Sequence, residues 1–187
     1  MGGDPTLPQF GVVFELTPSG ATWRETVLHT FSGRDGSLPG SGVILGGAGN
    51  LFGSTGSGTG APNSPGTVFE LAHSAAGWKL KTLTTFQGGA DRAELFGAPV
   101  LYRGSLFGTA FRRVGTIPSG TVYQLTPRSG GSWSRSVIFA FDQRHRQRLR
   151  AGRQTAGAQG GLFGTTVKGA GRCCAGNGCG VVYKITP

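Results

Sequence analysis

Gly11-Val-Val-Phe-Glu-Leu16 returns as Gly66-Thr-Val-Phe-Glu-Leu71, as Gly120-Thr-Val-Tyr-Gln-Leu125 and as Gly180-Val-Val-Tyr-Lys-Ile185. Within the first of these segments Val12, Phe14 and Leu16 share one side of an extended chain, because side chains alternate with a period of two along a strand. A β-strand recurring at one spacing is the mark of a repeat protein, in which each unit buries its apolar face against the next.

Other blocks keep the same step of about 55 residues. Trp23, Trp78 and Trp133 form one series, and Phe31, Phe86 and Phe141 another. A third block reads Asn50-Leu-Phe-Gly-Ser-Thr55, Ser105-Leu-Phe-Gly-Thr-Ala110 and Gly161-Leu-Phe-Gly-Thr-Thr166. Each unit reads as four short strands, represented in the first copy by 12–16, 23–31, 42–45 and 51–55, with 98–102 as the second copy of the third strand. Thr17-Pro18 is expected to close the first strand, since proline cannot donate into a central ladder. Gly46-Gly47-Ala48-Gly49 supplies the turn before the fourth.

Four strands per unit point to propeller blades. The expected fold is all-β: about three four-stranded propeller-type blades, as a partial or open β-propeller, plus one extra C-terminal strand. The units run approximately 11–65, 66–119 and 120–179, with a final strand in 180–187, all within one repeat domain spanning 1–187. A β-solenoid ranks lower, because the period is long for a single coil. Propellers typically close with about four to eight blades. Three blades therefore form part of a longer polypeptide, close with another subunit, or stay open with unpaired edges through which the chain self-associates.

Glycine accounts for 36 of 187 residues and hydrophobic residues for 37%. So much glycine disfavours helix interiors and suits tight turns, while the regularly spaced aromatics argue against disorder. No apolar run is long enough to span a membrane. Met1-Gly2-Gly3-Asp4-Pro5 does not read as a secretory signal.

The formal net charge is +10, and half of it lies in one run, Arg144, Arg146, Arg148, Arg150 and Arg153. That run interrupts the third unit between Phe141 and Gly160. Its alternation of Arg with Gln and His fits a stretch, roughly 143–156, read in a shifted codon frame. A solvated loop is the second reading. The third is a nucleic-acid arm, with arginines releasing counterions from phosphates, although no aromatic residues interleave to stack on bases.

No nucleophile elbow or phosphate loop occurs, and no cofactor or metal site is expected. His29, His73 and His145 stand at different places in the repeat, so His29 reads as a strand residue. Asp35 and Asp91 occupy equivalent turns. Each is a candidate for binding a cation or sugar hydroxyl, against the favoured reading of an Asp turn in which glycine takes a positive φ. Glu15 and Glu70 are replaced by Gln124 and Lys184, which argues against a repeated carboxylate role. Trp23, Trp78 and Trp133 are candidates for sugar-stacking platforms, against a favoured role in packing at blade edges. Cys173, Cys174 and Cys179 cannot complete a four-ligand zinc site. A Cys174–Cys179 or Cys173–Cys179 bridge would staple their loop and leave one thiol free or intermolecular.

The blocks Gly11 to Pro18, Phe31 to Gly36 and Asn50 to Thr55 together resemble the bacterial choice-of-anchor tandem repeat family of GloVer type, over nearly the whole chain after residue 10. The resemblance implies surface or extracellular propellers with no assigned catalytic residues. It also supports a disulfide among the three cysteines, which requires an oxidising compartment. The expected function is a non-catalytic surface or secreted scaffold that binds a glycan or a protein. The alternatives are a fragment of a glycan-processing propeller enzyme and nucleic-acid binding through 144–153.

Overall fold

The computed structural model describes residues 10–58, 65–86, 95, 97–114, 117–141, 151–158, 160–166 and 181–187. Asp91, the three cysteines, His145 and the arginine run as far as Arg150 lie outside them, as does most of the stretch suspected of a frame shift.

The chain is all-β. Thirteen strands are present among the described residues: β1 (Val12–Ser19), β2 (Thr22–Thr30), β3 (Ile44–Leu45), β4 (Leu51–Thr55), β5 (Thr67–Ser74), β6 (Gly77–Thr85), β7 (Val100–Tyr102), β8 (Ser105–Val114), β9 (Ile117–Pro127), β10 (Trp133–Phe141), β11 (Ala151–Ala158), β12 (Gly161–Thr166) and β13 (Val182–Ile185). They form four antiparallel meanders, β1-β2, β3-β4-β5-β6, β7-β8-β9-β10 and β11-β12-β13, referred to in that order as sheets one to four. Sheets two and three each take two strands from one sequence copy and two from the next. The recurring Gly-x-Val-Phe/Tyr strand is thus the third strand of a complete sheet, and β13 is an integral member of sheet four.

Proline does not end the first strand where expected. Pro18 lies within β1 opposite Trp23, and Pro127 within β9 opposite Trp133. Among the described residues both sit where a partner runs along one side only: β1 pairs with β2 alone, and the pairing of β8 with β9 starts at Leu106 opposite Leu125. With no second neighbour to receive a donor there, the missing N–H costs nothing.

The Leu-Phe-Gly block has a steric cause. Gly53 pairs with Phe69, Gly108 with Tyr123 and Gly164 with Tyr183. In each pair the aromatic ring lies over the glycine, so that a Cβ added at Gly53, Gly108 or Gly164 would run into it. Glycine in a strand interior here makes room for a cross-strand ring.

A β-bulge recurs at one place in three sheets. The register slips between Val13 and Phe14, between Val68 and Phe69, and between Val137 and Phe139, leaving Leu28, Leu83 and Ile138 as the extra residues. A bulge turns a side chain that alternation would place on the other face. All three extra residues pack toward the following sheet.

Successive sheets stack face to face through one repeated joint. Each sheet has a leading face toward its predecessor and a trailing face toward its successor. Between sheets one and two, Val13 and Phe31 meet Phe69 and Leu71. Between two and three, Val68 and Phe86 meet Tyr123 and Leu125. Between three and four, Val122 and Phe141 meet Tyr183 and Ile185. One ring pair lies at the centre of each joint: Phe31–Phe69 at 5.4 Å, Phe86–Tyr123 at 5.0 Å and Phe141–Tyr183 at 5.4 Å, all edge to face. That is the arrangement the aromatic quadrupole favours. Among the described residues no sheet closes on itself.

Candidate binding surface

Sheet one has a trailing face in a joint and a leading face in solvent. Cross-strand pairing puts Phe14 beside Val27, Leu16 beside Glu25 and Pro18 beside Trp23, all on that leading side. The equivalents of Phe14 and Leu16 in sheets two and three are Phe69, Leu71, Tyr123 and Leu125, which are at most 1% exposed. Phe14 and Leu16 are each 49% exposed, Val27 51% and Trp23 66%. The side chains are of one kind, and their burial differs because no described sheet covers the first set. A contiguous apolar patch on a folded protein marks an interaction site more often than scattered exposed residues do.

The three tryptophans therefore have unequal surroundings. Trp133 is half-buried and reaches across a joint to Phe52, 6.1 Å between ring centroids. Trp78 is half-buried against the first joint and lies tilted against His73, 4.8 Å between ring centroids. Trp23 offers most of its surface to solvent.

Asp35 organises the turn after β2. Its Oδ1 accepts hydrogen bonds from the Ser32 backbone N–H at 2.8 Å and the Ser32 hydroxyl at 2.9 Å. Its Oδ2 lies 2.8 Å from His29 Nε2. Burial alone would raise its pKa. The bonds from the Ser32 backbone, the Ser32 hydroxyl and His29 outweigh burial, so the carboxyl lies below its ordinary value. Gly36 follows at φ 138, where an added Cβ would run into the Thr55 side chain. The histidine ring in turn packs edge to face on Phe31 at 4.9 Å. Although Ser, His and Asp come together, the carboxylate bridges the other two, whereas nucleophilic catalysis needs the imidazole in the middle. Both carboxylate oxygens hold the turn.

Among the described residues no group of three or more His, Cys, Asp or Glu side chains could hold a metal ion. No helix among them is long and apolar enough to cross a membrane. The sequence reading singled out Trp23 but passed over Phe14 and Leu16, because each looks like its buried counterpart. Their exposure goes with the order of the described sheets, none of which lies in front of sheet one.

The Gloeobacter/Verrucomicrobia repeat family model matches residues 2–182, and the chain belongs to that family. No curated protein and no solved structure matches it.

Proposed function

We propose that this member of the Gloeobacter/Verrucomicrobia repeat family is a non-catalytic scaffold of propeller-type blades, secreted or held at the cell surface, that binds a protein through the leading face of sheet one. The four-stranded meanders of sheets two and three, stacked through one repeated joint, support the propeller-type reading. The observation that carries the binding role is the exposure of Phe14 and Leu16 on one sheet face, beside exposed Trp23 and Val27, when the counterparts of Phe14 and Leu16 are core residues. A sheet face that mixes aliphatic and aromatic side chains suits another protein surface, with the aromatic residues as anchors.

The test is Phe14→Lys with Leu16→Lys. A solvent-facing patch tolerates both changes, so the melting temperature holds while binding of a hydrophobic fluorescent dye falls several-fold. Loss of the fold would show that the face is core and end the reading. The exposure of Trp23 alone favours a second reading, in which its ring stacks on a sugar. Retention of a glycan on an array, lost in Trp23→Ala with stability unchanged, would decide for it.

A further inference from the structure

Away from sheet one, we infer that the outer rim of the joint between sheets two and three binds a tetrahedral oxyanion, a phosphate or sulfate group, through Lys79, Lys81 and Arg135. Sheets two and three each have four strands, and each is followed by another described sheet. Lys79 and Lys81 alternate along β6, so both lie on the trailing face of sheet two, about 7 Å apart. There Lys81 pairs with Glu70 and Lys79 with Ala72. Arg135 pairs with Leu125 on the leading face of sheet three. These two faces meet in one joint, so cations from two sheets converge on one crevice.

The side chains cross that crevice in opposite directions. The Lys81 ammonium donates to the Gly131 carbonyl, in the turn that precedes β10. The Arg135 guanidinium lies over the Phe86 ring of sheet two, 4.5 Å from its centroid. Each of these two cations is thus held by the opposite sheet. Lys79 and Lys81 are exposed and Arg135 is half-buried, which leaves the ammonium groups open to a ligand from solvent. Among the described residues Glu70 is the only carboxylate on these two faces, and its Oε1 already accepts from the Asn50 amide at 2.6 Å. Like charges drawn together repel, and an anion among them removes the repulsion. A planar guanidinium beside compact ammonium groups suits the several oxygens of phosphate or sulfate. The other joints lack this set on the same strand framework. At the first joint Arg24, Thr26 and Leu80 hold the corresponding places, and toward sheet four Ser134 and Ser136 stand where Lys79 and Lys81 would be. The charge is therefore not something the repeat requires. The cluster lies in one crevice rather than in a long row, so it takes one or two charged groups, whereas a nucleic-acid backbone engages many. Trp133 lies on the same strand face as Arg135, two residues away, and gives an apolar neighbour to a sugar that carries the anion as an ester.

The experiment is isothermal titration calorimetry on the full chain at constant ionic strength, with inorganic phosphate and sulfated dextran as probes and uncharged dextran as the control. Wild type is expected to bind both charged probes and not the uncharged one. Lys79→Gln with Lys81→Gln should weaken binding by about tenfold or more. Its melting temperature should hold, because both side chains are exposed. Lys79→Arg with Lys81→Arg keeps the charge and should bind within about threefold of wild type. Arg24→Gln with Arg34→Gln removes the same charge elsewhere and should leave the affinity unchanged. Sulfated dextran bound more tightly than inorganic phosphate would support the site with an ester as its source, and equal affinities would support it with the free ion. Equal weakening by the arginine and lysine pairs would overturn the inference, since net charge alone would then explain the binding. A folded wild type that binds neither charged probe would overturn it as well. Duplex DNA bound more tightly than both probes, and lost in Lys79→Gln with Lys81→Gln, would overturn it in favour of nucleic acid. Dye binding through Phe14 and Leu16 is read separately, so the face of sheet one stands or falls by itself.

Discussion

Sheets one and two carry nearly the same residues in their shared strand, Gly-Val-Val-Phe-Glu-Leu in β1 and Gly-Thr-Val-Phe-Glu-Leu in β5, and differ in what lies in front of them. Phe69 and Leu71 are buried against sheet one, while Phe14 and Leu16 face solvent. The comparison separates the chemistry of a side chain from its position. A phenylalanine adds to stability only where another sheet removes it from water, by about 1.5–3 kcal/mol when burial is complete. In a repeat protein the same residue is therefore core in one copy and solvent-facing in another.

The largest expected effect comes from truncating the buried member. Phe69→Ala should cost about 3–5 kcal/mol through lost transfer energy and the cavity left beside Phe31. Phe14→Ala, at the same place in the repeat, should cost less than about 1 kcal/mol. Urea unfolding of both variants measures the gap, and equal costs would show that both faces are covered. Trp133→Ala against Trp23→Ala repeats the test at a second position, with the loss expected at Trp133 because it packs on Phe52.

A smaller loss is expected from Gly108→Ala. The new methyl group would meet the Tyr123 ring and push it out of the joint between sheets two and three, at about 1–3 kcal/mol. Thermal unfolding measures it. A similar loss at Gly53, beneath Phe69, would show that the glycine–ring pairing holds two joints alike.

Tyr123→Phe should act in the opposite direction. The Tyr123 hydroxyl is buried and has no hydrogen-bond partner among the described residues, and burial pushes its pKa above the ordinary phenol value. Phe14 and Phe69 hold the same place in their copies. Removing the hydroxyl should gain up to about 1 kcal/mol, read as a higher urea midpoint at unchanged slope.

The smallest effect concerns Asp35. Its folded pKa is depressed, so its contribution is present above the unfolded value and is lost as pH falls through the folded one. Asp35→Asn should therefore lower the melting temperature at neutral pH. The difference from wild type should shrink on acidification below the ordinary carboxylate range, about pH 4. A difference that does not change with pH would assign the effect to the shape of the turn rather than its charge.

Much of the architecture was legible because each repeated block has a steric cause. Phe31, Phe86 and Phe141 recur because each contributes a ring to a joint, and Gly53, Gly108 and Gly164 recur because each lies beneath one. The bulges at Leu28, Leu83 and Ile138 were not legible. An extra residue inside a strand breaks the period-two pattern and looks like noise until the partner strand fixes the register. Nor was the phase of the sheets, because a periodic sequence does not say which strand comes first in a sheet. That phase decides which face of sheet one is exposed among the described residues, so only Trp23 of that face could be named from sequence. Strand β11 was missed as well, since Ala151–Ala158 carries few of the residues that mark its counterparts.

The central claim, that successive sheets bury one recurring face and leave the first open, is tested most directly by acrylamide quenching of single-tryptophan proteins. Each retains Trp23, Trp78 or Trp133, with the other two changed to Phe. Trp23 should be quenched several-fold more strongly than the other two and emit at longer wavelength. Equal quenching at all three positions would contradict the stacked arrangement.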